Sequence, residues 1–156
     1  MPWEHCVTLG DELLTVERVA VLHRTELFGA VPGHALVPVA RLVEEVRVGA
    51  GVTFIERGAL EDWLYVIADG AVRVHVGEQH IRDIGPGGVV GDLAVLVPAP
   101  RSASVTSTAP TLLLRLRHKP FAELLEDRPE IARAVIATLA RLLQSAPVAA
   151  VDQAPQ

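Results

Sequence analysis

One cysteine, Cys6, stands in 156 residues. That excludes an internal disulfide framework and a cysteine-built metal cluster, and a reduced, intracellular setting is the expectation. Basic charge is not in excess: 14 Lys and Arg against 19 Asp and Glu give a formal net charge of -5. Such a surface is not built to neutralise a nucleic acid backbone, so a nucleic-acid role would have to come from another chain. Aromatic residues are scarce, and none follows Phe121. No apolar run approaches bilayer length, and residues 1–10 lack both the basic flank and the continuous apolar core of a secretion signal. The expectation is a soluble, cytoplasmic chain, or the cytoplasmic part of something larger, with no membrane insertion of its own. Hydrophobic residues make up 50% of the chain, enough for one sizeable core; a second full domain would be cramped.

Over residues 11–24 the apolar Leu13, Leu14, Val16, Val19, Ala20, Val21 and Leu22 recur at near-helical spacing between Glu12, Glu17 and Arg18, which predicts an amphipathic helix. Leu27-Phe28-Gly29 and the Pro32-Gly33 turn interrupt it, and a second short helix is expected over 34–42. Residues 43–48 switch to strand character. Short β-rich runs follow at 52–55, 63–67, 71–76, 79–84, 89–90, 102–108 and 111–116, separated by Gly, Pro and Asp, the pattern of a barrel or jelly roll. In Val72-Arg73-Val74-His75-Val76 the valines share the interior face. After Pro120 the helical period returns: Phe121, Leu124 and Leu125 make a short helix, and Pro129 starts another. Its broad stripe of Ile131, Val135, Ile136, Leu139, Leu142 and Leu143 ends at Pro147. The expected organisation is one domain over 11–145, mainly β with flanking helices. It comprises a helical N-terminal segment (11–42), a β-roll (43–117) and C-terminal helices (118–145), with a disordered tail over 146–156.

The stretch Val90-Gly91-Asp92-Leu93-Ala94-Val95-Leu96-Val97-Pro98-Ala99-Pro100-Arg101-Ser102-Ala103-Ser104-Val105 reads as a phosphate cradle. A glycine lets the backbone come close, free N–H groups at a helix start favour negative charge, and an arginine returning on a strand adds a forked, permanently charged partner. Arg101, at the start of a strand whose alternate residues are apolar, points inward, where an unpaired charge is expensive. It needs an anion; the competing readings are a buried ion pair with Asp92 and a rim charge. Asp92 also suits the N-cap of a helical turn over 93–97.

These residues resemble the phosphate-binding cassette of the cyclic nucleotide-binding domain family, whose pattern is Gly-Glu, a small or apolar run beginning x-Ala-Leu, then Pro-Arg-x-Ala-x-Val. Gly91, Ala94, Pro100, Arg101, Ala103 and Val105 fit it. Upstream, residues 51–58, Leu64-Tyr65-Val66-Ile67 and Gly70-Ala71-Val72-Arg73-Val74 resemble the family's early strands and turns. Downstream, residues 121–125 and Pro129-Glu130-Ile131 resemble its closing helices, so the likeness covers roughly residues 20–145. It implies a β-roll with helices at both ends that catalyses nothing. The ligand implied is a cyclic purine nucleotide, cAMP favoured over cGMP, and the output runs through the C-terminal helices to a fused domain or a protein partner.

By the same resemblance Arg101 holds the phosphate, the amides of Gly91, Leu93 and Ala94 face phosphate and ribose, and Val74 and Ile84 line the base pocket. Asp92 stands where the family has Glu, which accepts from the ribose 2′-hydroxyl; one methylene shorter, it falls short by roughly an ångström, the gap a bridging water fills. Ser102 faces away from the pocket in a regular strand, whereas an irregular start would let its N–H and hydroxyl reach the phosphate. Family members often close the pocket with a residue of the last helix. Here Arg141 can stack on a base or remain a solvated charge. Pro147 stops the helix where catabolite-activator-type relatives continue into a dimerisation helix and a DNA-binding motif.

Two other readings stay open. Asp92 and the missing aromatic lid suit a degenerate domain that serves as a protein-interaction module, the stripe on the last helix covering the pocket or pairing with a second copy as a homodimer. A cupin-like metal enzyme would use His75, Glu78 and His80, but their spacing is not that of a cupin metal site. No nucleophile elbow, P-loop or partnered catalytic cysteine is present.

Overall fold

Two largely apolar runs, around residues 64–67 and 112–116, form strands buried on both faces, and the rest of the described molecule packs against them. The computed structural model describes residues 7–10, 12–91 and 96–145. Asp92, Leu93 and Ala94, and the tail expected over 146–156, lie outside the described residues. In chain order the elements are β1 (Val7–Gly10), α1 (Thr15–His23), a 3-10 turn (Gly33–Leu36), α2 (Val37–Leu42), β2 (Glu44–Val48), β3 (Thr53–Ile55), β4 (Leu60–Glu61), β5 (Trp63–Asp69), β6 (Val72–Val76), β7 (Gln79–Ile84), β8 (Val89–Val90), β9 (Ala99–Pro100), β10 (Ser104–Ser107), β11 (Thr111–Arg117), α3 (His118–Asp127) and α4 (Pro129–Ser145).

Pairing is antiparallel throughout. One sheet runs β1-β2-β11-β5-β8, a second β3-β10-β6-β7, and β4 and β9 form a short ribbon. This is the β-roll with flanking helices expected from the sequence. Side chains of a strand alternate between faces, and β5 shows what that does here. Tyr65 and Ile67 point into the roll with Val46, Phe54, Val72, Val105 and Leu113, whereas Leu64 and Val66 point out, with Leu114 and Leu116, onto Leu22, Phe28, Leu36, Phe121, Ile131 and Val135 of the helical layer. Each layer has an edge-to-face aromatic pair at its centre, Phe54–Tyr65 inside and Phe28–Phe121 outside. No helix among the described residues is long and apolar enough to cross a membrane.

Several elements differ from the sequence expectation for local reasons. β1 lies upstream of residue 11 and pairs with β2, Val7 opposite Val48; its Val-Thr-Leu-Gly alternation is too short to give a strand signal of its own. α1 starts at Thr15 rather than near residue 11, because the N–H groups of Glu12 and Leu13 donate to the Glu45 carboxylate and Leu14 N–H donates to Glu17. Pro120 falls inside the first turn of α3, where its missing N–H would have no helical acceptor. The strand expected over 102–108 begins only at Ser104, since Arg101 commits its N–H to Ala59 and its carbonyl to Gly58 on the other side of the roll.

Glu45 ties the N-terminal helices to the sheet. It accepts the two N–H groups above and pairs with Arg18 at 2.8 Å, whose Nη1 also donates to the carbonyls of Ala40 and Val43. Burial pushes its carboxyl up, but the Arg18 hydrogen bond, the two backbone donors and the Arg18 charge outweigh it and hold the carboxyl below the usual glutamate range. Glu45→Ala should therefore destabilise the fold by about 3 kcal/mol at neutral pH, the low end for breaking a buried pair because Arg18 keeps its carbonyls. A carboxylate with a lowered folded pKa contributes stability above its unfolded pKa and loses it as pH falls through the folded value. Urea denaturation of both proteins should thus converge toward acid pH; a constant gap would remove Glu45 from that role.

Candidate functional site

Arg101 sits at the start of the segment leading into β10, and its side chain turns inward, as its place in the apolar alternation predicts. It is only 6% exposed. Nη2 donates to the Trp63 carbonyl at 2.5 Å, and Nε lies 3.5 Å from Oε2 of Glu61, itself only 4% exposed. The two form a buried ion pair with a long Nε–Oε2 contact. Nη1, beside Gly91, lies outside the Trp63 and Glu61 contacts and is the charged donor left to meet a second anion.

The carboxylate is itself under strain. Burial pushes the Glu61 pKa up and outweighs the Arg101 charge that pulls it down, while Asp62 and Glu56 push the same way as burial. Tyr65 nearby is pushed up to about 12, by burial first and then by Glu61. The Trp63 carbonyl is well placed because its indole is clamped outside by two guanidiniums, Arg115 at 4.1 Å and Arg117 at 4.4 Å from the ring centre.

Gly91 faces Arg101. Its φ of +79° is a left-handed conformation, and a Cβ there would run into Nη1 of Arg101 and come within 2.8 Å of the Trp63 carbonyl. The glycine therefore meets two needs, the turn and the guanidinium's seat.

Above this corner opens a cavity of about 340 Å³ with an apolar wall of Ile55, Val74, Val89, Val90, Val97 and Val105, and with Gly91, Arg101 and Ser102 on its rim or floor. Apolar walls with a few convergent polar groups are what a small-molecule site needs. Of the residues singled out in the sequence, Gly91, Arg101, Ser102 and Val74 line it. Ser102 is exposed and precedes the regular part of β10, the irregular start in which its N–H and hydroxyl can turn to a phosphate. Ile84 lies opposite Val72, two cross-strand pairs along from Val74, and lines an adjoining hollow of about 330 Å³ with Glu26, Leu27 and Leu142. Arg141 donates to Thr138 and borders a third hollow rather than this cavity. Asp92, Leu93 and Ala94 lie outside the described residues.

Two participants carried no sequence signal. Glu61 belongs to a two-residue strand, and Arg82 lines the cavity from β7 although a charge in that mostly polar strand reads as solvent-facing. Of the metal candidates, His75 bonds Gly77 and Thr106, and His80 pairs with Asp83. Among the described residues no group of three His, Cys, Asp or Glu stands close enough to hold a metal ion.

The chain that carries this arrangement is similar to known proteins. The chain is 35% identical over 131 residues to the Pycsar effector protein XpPycTIR of Xanthomonas perforans, covering 83% of this chain and 40% of that relative. The fold matches the N-terminal domain of a transcriptional regulator from Streptomyces coelicolor A3(2), with a TM-score of 0.75 at 31% identity over 80% of this chain and 92% of that one. It also matches the regulatory domain of Toxoplasma gondii PKA solved with cAMP, with a TM-score of 0.67 at 28% identity over 76% and 47% of the two chains. The chain thus spans less than half of the Xanthomonas relative. The cyclic nucleotide-binding domain profile matches residues 45–128, β2 to the end of α3 with Arg101 and the whole apolar wall between them, and the chain belongs to the cyclic nucleotide-binding domain family.

Proposed function

We propose that the chain is a regulatory domain that binds a cyclic purine nucleotide in this cavity, cAMP in preference to cGMP, and catalyses no reaction. The observation that carries this is the Arg101 guanidinium, seated on Trp63 and Glu61 at the polar end of an apolar wall with Nη1 beside Gly91. Phosphate oxygens would meet Nη1, and Gly91 leaves the space. Leu93 and Ala94 would contribute their amides and Asp92 the ribose contact, with Val74 and, beyond it, Ile84 packing on the base. The preference for the adenosine form leans on a structural neighbour solved with cAMP. Binding would be passed through α3 and α4 to a fused output domain or a protein partner, in the cytoplasm.

The test is isothermal titration of the chain with cAMP and cGMP, with the linear monophosphates as controls. The expected result is saturable binding of the cyclic forms, tighter for cAMP; no heat with either cyclic form would overturn the reading. A second reading, a protein-interaction module without nucleotide, is favoured by one feature: Arg101 already faces an internal anion, Glu61. Ile136 and Leu143 on α4 are 64% and 74% exposed, which suits a homodimer or a lid over the cavity. Sizing the protein with and without cAMP separates these, since a lid acts within one chain and a pair does not.

A further inference from the structure

The corner that would hold a phosphate already contains a negative charge. Glu61 and Arg101 are both buried, with Oε2 of Glu61 3.5 Å from Nε. The carboxylate stands behind the guanidinium, whereas Nη1 lies beside Gly91 at the cavity. An uncharged acceptor, the Trp63 carbonyl, already takes Nη2, so what Glu61 adds to the seat is charge. Its other neighbours do not offset it. Asp62, next in sequence, and Glu56, in the loop between β3 and β4, add to the negative side. Tyr65 of β5 stays neutral, pushed up to about 12 by burial and then by Glu61. Of the remaining cations, Arg115 of β11 acts on Tyr65 but is engaged by Glu44 at 2.8 Å, and Arg117 stands 3.8 Å from Asp62. Arg101 therefore has one positive charge to share between Glu61 and any anion at Nη1.

Resting on the nucleotide reading above, we propose that Glu61 is a specificity-determining residue that selects the charge of the ligand's phosphate, admitting the singly charged cyclic phosphodiester and rejecting the doubly charged linear monophosphate. A phosphodiester carries one negative charge; a monophosphate, whose second pKa is about 6, carries close to two at neutral pH. The fixed fork of the guanidinium puts an anion hydrogen-bonded to Nη1 no more than about 9 Å from Oε2. At that separation, and at the effective dielectric of a partly buried site, each unit of ligand charge meets a repulsion from Glu61 of about twentyfold in affinity. The cyclic ligand meets it once and the linear ligand nearly twice. Glu61 is thus a repulsive element aimed at the wrong phosphate. A proton on Glu61 removes the repulsion, and the ligand's charge favours that proton. Affinity for cAMP should then be highest below the folded pKa of Glu61 and fall as pH rises through it.

The experiment is titration of wild type, Glu61→Gln and Glu61→Asp with cAMP at about pH 8, where the monophosphate is fully charged, with adenosine 5′-monophosphate measured by competition against it. In Glu61→Gln both ligands should bind more tightly, and the preference for cAMP over the linear form should shrink about twentyfold. Glu61→Asp, which keeps the charge, should keep the wild-type preference. Misplacement of Arg101 would weaken both ligands alike, so a preference unchanged in a glutamine variant that binds cAMP would reduce Glu61 to a seat for Arg101 and overturn the inference. Wild type supplies a check that needs no variant: cAMP keeps its single charge between about pH 8 and pH 5, and its affinity should rise toward acid. A flat profile would overturn the inference as well. If wild type binds no cAMP at all, the nucleotide reading itself fails, which is a distinct result.

Discussion

Replacing Arg101 by alanine is expected to abolish nucleotide binding, with an affinity loss of about a hundredfold or more, and to destabilise the protein at the same time. The first effect follows from removing the cavity's anchored cation, a forked and charge-assisted donor, from the phosphate. The second follows from Glu61. Its carboxylate, 4% exposed and already pushed up by burial, loses the one charge that pulls its pKa down strongly. Leaving such a partner unpaired costs about 3–5 kcal/mol. An acid whose folded pKa is raised contributes stability that is fully present below its unfolded pKa and lost as pH rises through the folded one. The alanine variant should therefore be more stable at mildly acid than at neutral pH. Adding Glu61→Gln removes the stranded charge, so the double variant should recover much of the stability in urea titrations and none of the binding by calorimetry. Binding by Arg101→Ala would show that the phosphate sits elsewhere, and a double variant no more stable than the single one would show that the Glu61 pair is immaterial.

The next largest effect is expected at Gly91. Gly91→Ala places a methyl group against Nη1 of Arg101 at a residue with φ of +79°. The backbone strain alone is about 1–2 kcal/mol. The collision adds a functional loss, because the guanidinium must leave its seat between Glu61 and Trp63, and nucleotide affinity should drop at least tenfold. Gly58 provides the comparison. Its φ is +84°, yet a Cβ there meets nothing within 4 Å, so Gly58→Ala should show the strain in its melting temperature and leave binding near wild type. Similar binding losses in both variants would mean that backbone strain, not the seat of Arg101, is what the glycine protects.

The cradle was legible in the sequence because its signal is local. A glycine, an apolar run and an arginine within eleven residues need no knowledge of distant partners, and the inward direction of Arg101 agrees with the alternation of the residues after it, although β10 itself begins only at Ser104. Glu61 was not legible. It meets Arg101 from forty residues away, through β4 and β9, two-residue strands that pair Glu61 with Ala99 and are too short to show any period. Arg82 was hidden for a different reason: a charge in a mostly polar strand reads as solvent-facing, and only its register opposite Val74 shows that the face it shares is the cavity.

The two helical ends and the longer strands of the β-roll between them were determined by the sequence alone, since hydrophobic period and turn residues act over a few positions and survive any packing. The partner of Arg101, the placement of Ile84 beyond the cavity rather than on its wall, and the turning of a second arginine toward the ligand face were decided only by tertiary structure. Each depends on register between strands far apart in the chain, and a shift of one residue would send those side chains to the other side of the sheet.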